Sequence, residues 1–252
     1  MTTHNGLRLF CLPYSGASAT VYSRWRRNVP AWLQVRPLEL PGRGVRMDEP
    51  LQRDIRRLAH QLADEIGAEL SGPFALFGHS LGGLLAFELI HVLRQRGLPQ
   101  PLALFTSATA GPSRRDVSEY AGAKTDQELI QRLRELNGTP EEAIANADLM
   151  ALMLPILRAD FLLCGSFVYG TRTPLALPIH VFGGKQDSIR VDELLDWQQD
   201  AATAFSLDLF EGDHFYLVDQ ETALLRSLCT YADEHLSRWR QRTTPQATHA
   251  VG

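Results

Sequence analysis

The sequence predicts an α/β fold: a doubly wound, mostly parallel sheet with a helical lid inserted between two of its strands. Three observations predict it. Short apolar or β-branched runs alternate with longer amphipathic stretches, the order expected of strand–helix–strand units. Most of the short runs are continuously apolar rather than alternating, which suits strands covered by helices on both faces. From about Gly111 to Thr173 the alternation stops and only helical patterns remain.

The expected strands are Leu7–Pro13, Val35–Pro41, Phe74–His79, Leu102–Ala108, Ile179–Gly184 and Ser206–Gly212. The expected helices between and after them are Leu51–Ser71, Leu81–Arg96, Asp192–Ala204 and Glu221–Arg240. Within the helical block, "TDQELIQRLRELNG" reads as a capped helix: Thr125 or Asp126 starts it and Asn137-Gly138 stops it. "TPEEAIAN" and "DLMALMLPILRADFLLCGSF" follow as further helices, the second expected to be kinked or split by Pro155. A helical block between sheet strands has the look of a lid over a site; the plainer reading is a structural insertion. The organisation expected is one domain over residues 1–240, with the insertion at 111–173 inside it and a small, polar, frayed tail at 241–252.

Composition narrows the class. The 252 residues are 44% apolar and 21% charged, in the range of a globular protein with a sizeable core. A net charge of −4 leaves no electrostatic footprint for nucleic acid. The longest apolar run, Leu149–Leu157, is far short of the ~20 residues that span a bilayer, and the N-terminus lacks the pattern of a signal peptide. The three cysteines, Cys11, Cys164 and Cys229, form no CxxC or Cys/His cluster. A metal-free protein without disulfides, working in the cytoplasm, is expected.

The chemistry centres on "FALFGHSLGGLLAFEL", where an apolar strand turns abruptly into a helix at Gly78-His79-Ser80-Leu81-Gly82. In a G-x-S-x-G elbow the serine sits on a strained turn that exposes its hydroxyl, and glycines stand where side chains would collide. The N-terminus of the following helix favours negative charge beside it. A serine hydroxyl needs a base, and in such folds an acid and then a histidine follow the serine in the chain. Of the downstream histidines, His180 lies in an expected strand, His235 on the last helix and His249 in the tail; His214, in "FEGDHF", follows a strand end. Asp187, beyond Gly183-Gly184, is the preferred acid, to hold the ring in its productive tautomer. Asp213 and Asp160 are the alternatives. An oxyanion would be met by the Leu81 N–H and by an amide of the loop Pro13–Ala17 after the first strand.

These residues carry a resemblance. "CLPYSGASATVYSRW", "LELPGRGVRMDEP", "FGHSLGG", "LNGTPEEAI", "LPILRADF", "GGKQD" and "EGDHFYL" are similar, in order and spacing, to segments of the stand-alone type II thioesterases that accompany nonribosomal peptide and polyketide synthases. The resemblance implies an α/β-hydrolase fold, with Ser80 as nucleophile, Asp187 as acid and His214 as base. It implies backbone N–H groups of Ser15 and Leu81 as oxyanion donors, and a lid near residues 111–173. Ser15-Gly16-Ala17 stands where relatives commonly have Ala-Gly-Gly, a departure that leaves the backbone donor in place. Arg43 and Arg46 read as a salt-bridged structural turn.

The implied activity is hydrolysis of acyl groups from the phosphopantetheine arms of acyl or peptidyl carrier proteins, clearing stalled or aberrant chains. No cofactor and no metal is called for, no nucleic acid or membrane partner is expected, and the chain is expected to be a monomer. Met150, Met153, Leu154 and Leu157 are candidates to line an acyl channel. Arg114-Arg115 are candidates to meet an acidic carrier protein, with a solvated charge pair as the plain reading. The rivals are a medium-chain fatty acyl carrier-protein thioesterase, a general carboxylesterase, and a hydrolase-like module that binds carrier proteins without catalysis.

Overall fold

The structure, a computed structural model, describes residues 6–120, 122–170 and 172–243. Strands β1 (Leu7–Leu12), β2 (Leu33–Pro37), β3 (Phe74–His79), β4 (Leu104–Ser107), β5 (Ile179–Gly184) and β6 (Phe205–Phe210) form a sheet in the order β2-β1-β3-β4-β5-β6. Every neighbouring pair is parallel, so the sheet expected to be mostly parallel is wholly so. The helices are α1 (Trp25–Asn28), α2 (Ile55–Ile66), α3 (Leu81–Gln95), α4 (Asp126–Leu136), α5 (Glu141–Ile144), α6 (Ala147–Gly165), α7 (Val191–Leu195), α8 (Tyr216–Asp219) and α9 (Glu221–Thr243). Among the described residues none is long and apolar enough to cross a membrane.

Strands β3, β4 and β5 are buried at every residue, which explains their unbroken apolar runs. Side chains alternate between the faces. Phe10, Leu12, Phe74 and Leu76 join the core beneath α2 and α3, while Leu9, Cys11, Ala75 and Phe77 join the core that holds Trp25 and the apolar face of α9. Helix α2 buries Ile55, Leu58, Ala59, Leu62, Ala63 and Ile66, a single stripe at helical spacing. It begins at Ile55 rather than Leu51 because Asp54 caps it, its carboxylate accepting the Arg57 N–H at 2.8 Å.

Helices α4, α5 and α6 lie between β4 and β5. Thr125 and Glu128 form a reciprocal capping box at the start of α4, and Asn137 closes it in the left-handed conformation (φ 54°). Helix α6 is continuous through Pro155, so the expected split does not occur. An interior proline costs about 3 kcal/mol. Here Met150, Leu154, Ile156, Leu157 and Phe161 are all buried around it, and each such side chain returns roughly 1.5–3 kcal/mol. The stretch expected as Asp192–Ala204 is the short α7 followed by a 3₁₀ turn at Asp196–Asp200. Helix α9 continues to Thr243, three residues into the expected tail; residues 244–252 lie outside those described.

The sheet order positions the site. The chain passes from β1 outward to β2 and returns to β3 on the other side of β1. The connections after β1 and β3 therefore diverge, leaving a crevice at the carboxyl ends of the two strands, the place where parallel sheets bind ligands.

Candidate active site

Ser80 stands at that crevice, between the end of β3 and the first turn of α3, with φ 53° and ψ −117°. Such a conformation costs a non-glycine residue on the order of 1–3 kcal/mol. It is held by the Ser80 N–H donating to the Ser107 carbonyl of β4 at 2.8 Å and by the Gly83 N–H donating to the Ser80 carbonyl at 3.0 Å. Two glycines make the turn sterically feasible. A Cβ on Gly78 would lie 2.1 Å from the Gly82 carbonyl, and a Cβ on Gly82 would lie 2.2 Å from the Leu12 carbonyl oxygen. The second contact brings the start of α3 against the end of β1.

His214 follows β6 and Asp187 follows β5, and the parallel pairing of those strands brings the two loops together. The His214 Nδ1 lies 2.9 Å from Asp187 Oδ2 and 3.2 Å from Oδ1, and both side chains are buried. The other carboxylates are engaged elsewhere. Asp213 accepts from the Phe215 N–H and from Asn137, whereas Asp160 is bound by Arg43. His180 pairs with His235 at 2.7 Å, away from the serine, and His249 lies outside the described residues. Ser80 and His214 line one cleft of about 210 Å³, together with Tyr14, Ser15, Arg115 and Phe215.

Tyr14, His79 and Phe215 are neighbours of this site that the spacing of motifs did not single out. The His79 ring packs edge-on against His214 at 5.3 Å between centroids, and Tyr14 stands edge-on to both His79 and Phe215. His79 Nδ1 bonds the Ser107 hydroxyl at 2.9 Å, which in turn bonds the Tyr216 hydroxyl at 2.6 Å. Burial first, and then the nearness of His214, hold the His79 imidazole well below its ordinary range, so His79 serves as a neutral wall. Its placement inside the elbow was the available signal.

A second, largely apolar cavity of about 200 Å³ adjoins the cleft, sharing Tyr14, Ser15, Phe161 and Phe215 with it. Of the four channel candidates, Met153 and Leu157 line it. Met150 and Leu154 do not. They sit in the helical block's own core with Leu129, Leu157 and Phe161, and of that cluster Leu129, Leu157 and Phe161 also reach the cavity wall. Arg114 is exposed, as the plain reading has it, and Arg115 is half-buried. Arg114 bonds Asp196 at 2.8 Å, and Arg115 reaches the Thr109 hydroxyl and lies over the Tyr120 ring. Arg46 does brace a turn: it pairs with Glu49 and Glu65 and donates to the Glu39 carbonyl. Among the described residues no cluster of three or more His, Cys, Asp or Glu side chains is placed to hold a metal ion.

A parallel sheet with a serine elbow at its switch point is the architecture of the α/β hydrolases. Sequence and structure comparisons narrow the class. The profile of the family described as "Thioesterase domain" matches residues 7–230. The chain is 36% identical to the gramicidin S biosynthesis protein GrsT of Aneurinibacillus migulanus, over 88% of each chain. It superposes on the type II thioesterase BorB from the borrelidin biosynthetic cluster with a TM-score of 0.81, at 34% identity over 94% of each chain. It likewise superposes on RedJ, a thioesterase from the prodiginine pathway of Streptomyces coelicolor, with a TM-score of 0.82, at 32% identity over 89% of each chain. The protein belongs to the thioesterase family and is a hydrolase acting on thioesters.

Proposed function

We propose that this protein is a stand-alone editing thioesterase that releases stalled or aberrant acyl groups from carrier proteins of a nonribosomal peptide or polyketide assembly line. The observation that supports it most directly is the convergence of Ser80 and His214 on one cleft, with Asp187 bonded to the His214 ring at 2.9 Å. The names of the similar proteins, which come from such pathways, support the substrate class.

In this reading Ser80 Oγ attacks the thioester carbonyl while His214 Nε2 takes its proton. Asp187 keeps the Nδ1–H directed inward and stabilises the imidazolium. The tetrahedral oxyanion is met by the N–H groups of Leu81 and Ser15, each such donor contributing about 3–4 kcal/mol. The C–S bond then breaks and His214 returns the proton to the departing sulfur. With a thiol pKa near 8.5 the sulfur needs less acid assistance than an alkoxide or amine. Water, deprotonated by His214, attacks the acyl-serine, and collapse of the second tetrahedral species frees the acid and regenerates Ser80. The acyl chain occupies the apolar cavity along Met153 and Leu157, and the helical block α4–α6 acts as its lid. The steps use side chains, backbone and water alone.

A panel of acyl-loaded carrier proteins, acyl-CoA thioesters and simple oxygen esters tests the assignment. Faster turnover on carrier proteins is the expected result, and Ser80→Ala is expected to abolish hydrolysis while carrier-protein binding persists. Equal rates on simple esters point instead to a carboxylesterase, confinement to medium-length fatty chains to a fatty acyl thioesterase, and undiminished turnover in Ser80→Ala rejects the serine mechanism.

A further inference from the structure

We infer that the buried Arg43–Asp160 pair is a positioning device for the oxyanion loop, one that ties the geometry of the Ser15 amide to the seating of helix α6. The inference rests on the proposed roles of Ser80 and the Ser15 amide.

Three remote segments meet here. Asp160 comes from α6 of the helical block, Arg43 from the turn after β2, and Ser15–Ala17 from the loop after β1. Arg43 grips the carboxylate with both arms of its fork, Nη1 donating to Oδ2 at 2.7 Å and Nη2 to Oδ1 at 2.6 Å. The same Oδ2 accepts the Gly16 N–H at 2.8 Å, and Arg43 Nη1 also donates to the Ala17 carbonyl at 3.3 Å. The loop is thus fastened on each side of Gly16, at an N–H and at a C=O. The Gly16 N–H belongs to the peptide plane that follows Ser15, one φ/ψ pair from the plane of the Ser15 amide, so holding it narrows how Ser15 presents its own N–H to the cleft. It also occupies the Gly16 N–H, which leaves the Ser15 N–H as the loop's donor toward an oxyanion.

Stability alone is a weak reason for such a pair. The two side chains are 3% and 0% exposed. Desolvation at that depth cancels much of the Coulomb gain, so that an apolar replacement of matching volume is often as stable. A fixed geometry at two backbone points, the Gly16 N–H and the Ala17 carbonyl, is what an apolar pair would not supply. Helix α6 also presses on the loop directly. Leu157, three residues before Asp160 and so on the same helix face, has its Cδ2 only 2.8 Å from the point where a Cβ on Gly16 would stand. Gly16, at φ +79°, is the residue that permits this approach. Leu157 lines the apolar cavity as well, so the helix face that borders the acyl chain is the one that holds the oxyanion loop.

The test separates transition-state from ground-state binding. A trifluoromethyl ketone analogue of an acyl-pantetheine thioester forms a tetrahedral adduct with Ser80; the corresponding thioether, lacking the carbonyl, reports ground-state affinity. Asp160→Asn removes the charge at constant shape. The double variant Arg43→Met/Asp160→Leu removes both charges and preserves the packing even if single variants fold poorly. In both, kcat and ketone affinity are expected to fall by about tenfold or more, a fraction of what complete loss of an oxyanion donor costs. KM and thioether affinity are expected to stay within about twofold. Arg43→Lys, which keeps the charge and loses the fork, is expected to fall between. A folded double variant with native kcat and ketone affinity overturns the inference, as does a parallel loss of thioether and ketone binding, which would signal general disruption. Persistent turnover in Ser80→Ala would instead strike at the underlying mechanism.

Discussion

Replacing Gly78 by alanine tests the steric argument for the elbow. The added methyl would stand 2.1 Å from both the carbonyl carbon and oxygen of Gly82 and 2.4 Å from the Gly83 nitrogen. These are backbone atoms in the first turn of α3, so no side chain can rotate aside. Contact at an ordinary distance requires that turn to retreat to at least 3.4 Å, a displacement of more than about 1 Å for the segment carrying Ser80 and Leu81. Misplacement by ~1 Å costs a catalytic arrangement on the order of 10²-fold, and overpacking at such a site costs about 1–3 kcal/mol of stability. Gly78→Ala is therefore expected to lower kcat/KM on an acyl-pantetheine thioester by at least about 100-fold, with a matching loss in urea denaturation. Two glycines with nothing within 4 Å of a Cβ serve as controls. Gly97→Ala, at φ +65°, should cost about 1 kcal/mol of stability through backbone strain and leave turnover intact. Gly67→Ala, at φ −50°, should stabilise by about 0.4–1 kcal/mol. Native activity in Gly78→Ala, or an equal effect in Gly97→Ala, would refute the reasoning.

Two buried titrating groups give pH-dependent stability predictions. Asp200 is buried with its Oδ2 unpartnered, and burial, opposed by Arg172, raises its carboxyl from 3.8 to about 6. The native state thus holds this proton more tightly than the unfolded chain, and stability is lost as pH rises through about 6. Asp200→Asn should raise stability at pH ~8 by roughly 1–3 kcal/mol and add little at pH ~4; an equal increment in urea melts at both would contradict this. His180, depressed to about 3 by burial and then by His235, has the opposite sign: its contribution is present above about pH 6.5 and lost as pH falls. His180→Phe, which retains the stacking on Phe105 and Tyr231, should flatten the decline in thermal midpoint between about pH 7 and 5. An unaltered acid limb would reject the assignment.

The strands were readable because those buried on both faces are apolar without interruption, and a parallel sheet is built of little else. Phe74–His79 and Ile179–Gly184 coincide with their expected ranges, and Thr125 and Asn137 mark the ends of α4 as capping chemistry requires. The elbow was readable for a similar reason: two glycines, a serine and a strand–helix boundary are all local. Less local quantities were not. Pro155 was read as a kink or a split, yet the helix is not split: the burial around α6 holds it together, and that burial depends on partners elsewhere in the chain. Met150 and Leu154 looked like channel residues on the same spacing as Met153 and Leu157; all four pack in or against the core of the helical block, and which of them also reach the cavity depends on the tertiary packing around α6.

What the sequence determined by itself was the order of elements and the chemical types at their ends, since periodicity, caps and turn residues act over a few positions. Tertiary structure decided which carboxylate meets His214 and which meets Arg43. Asp160, Asp187 and Asp213 all follow Ser80 and are chemically alike; only the sheet order and the seating of α6 bring Asp187 to the imidazole and Asp160 to a guanidinium 117 positions away along the chain. A charge pairs with whatever the packed chain leaves within a few ångströms, and that distance is written in no local stretch of residues.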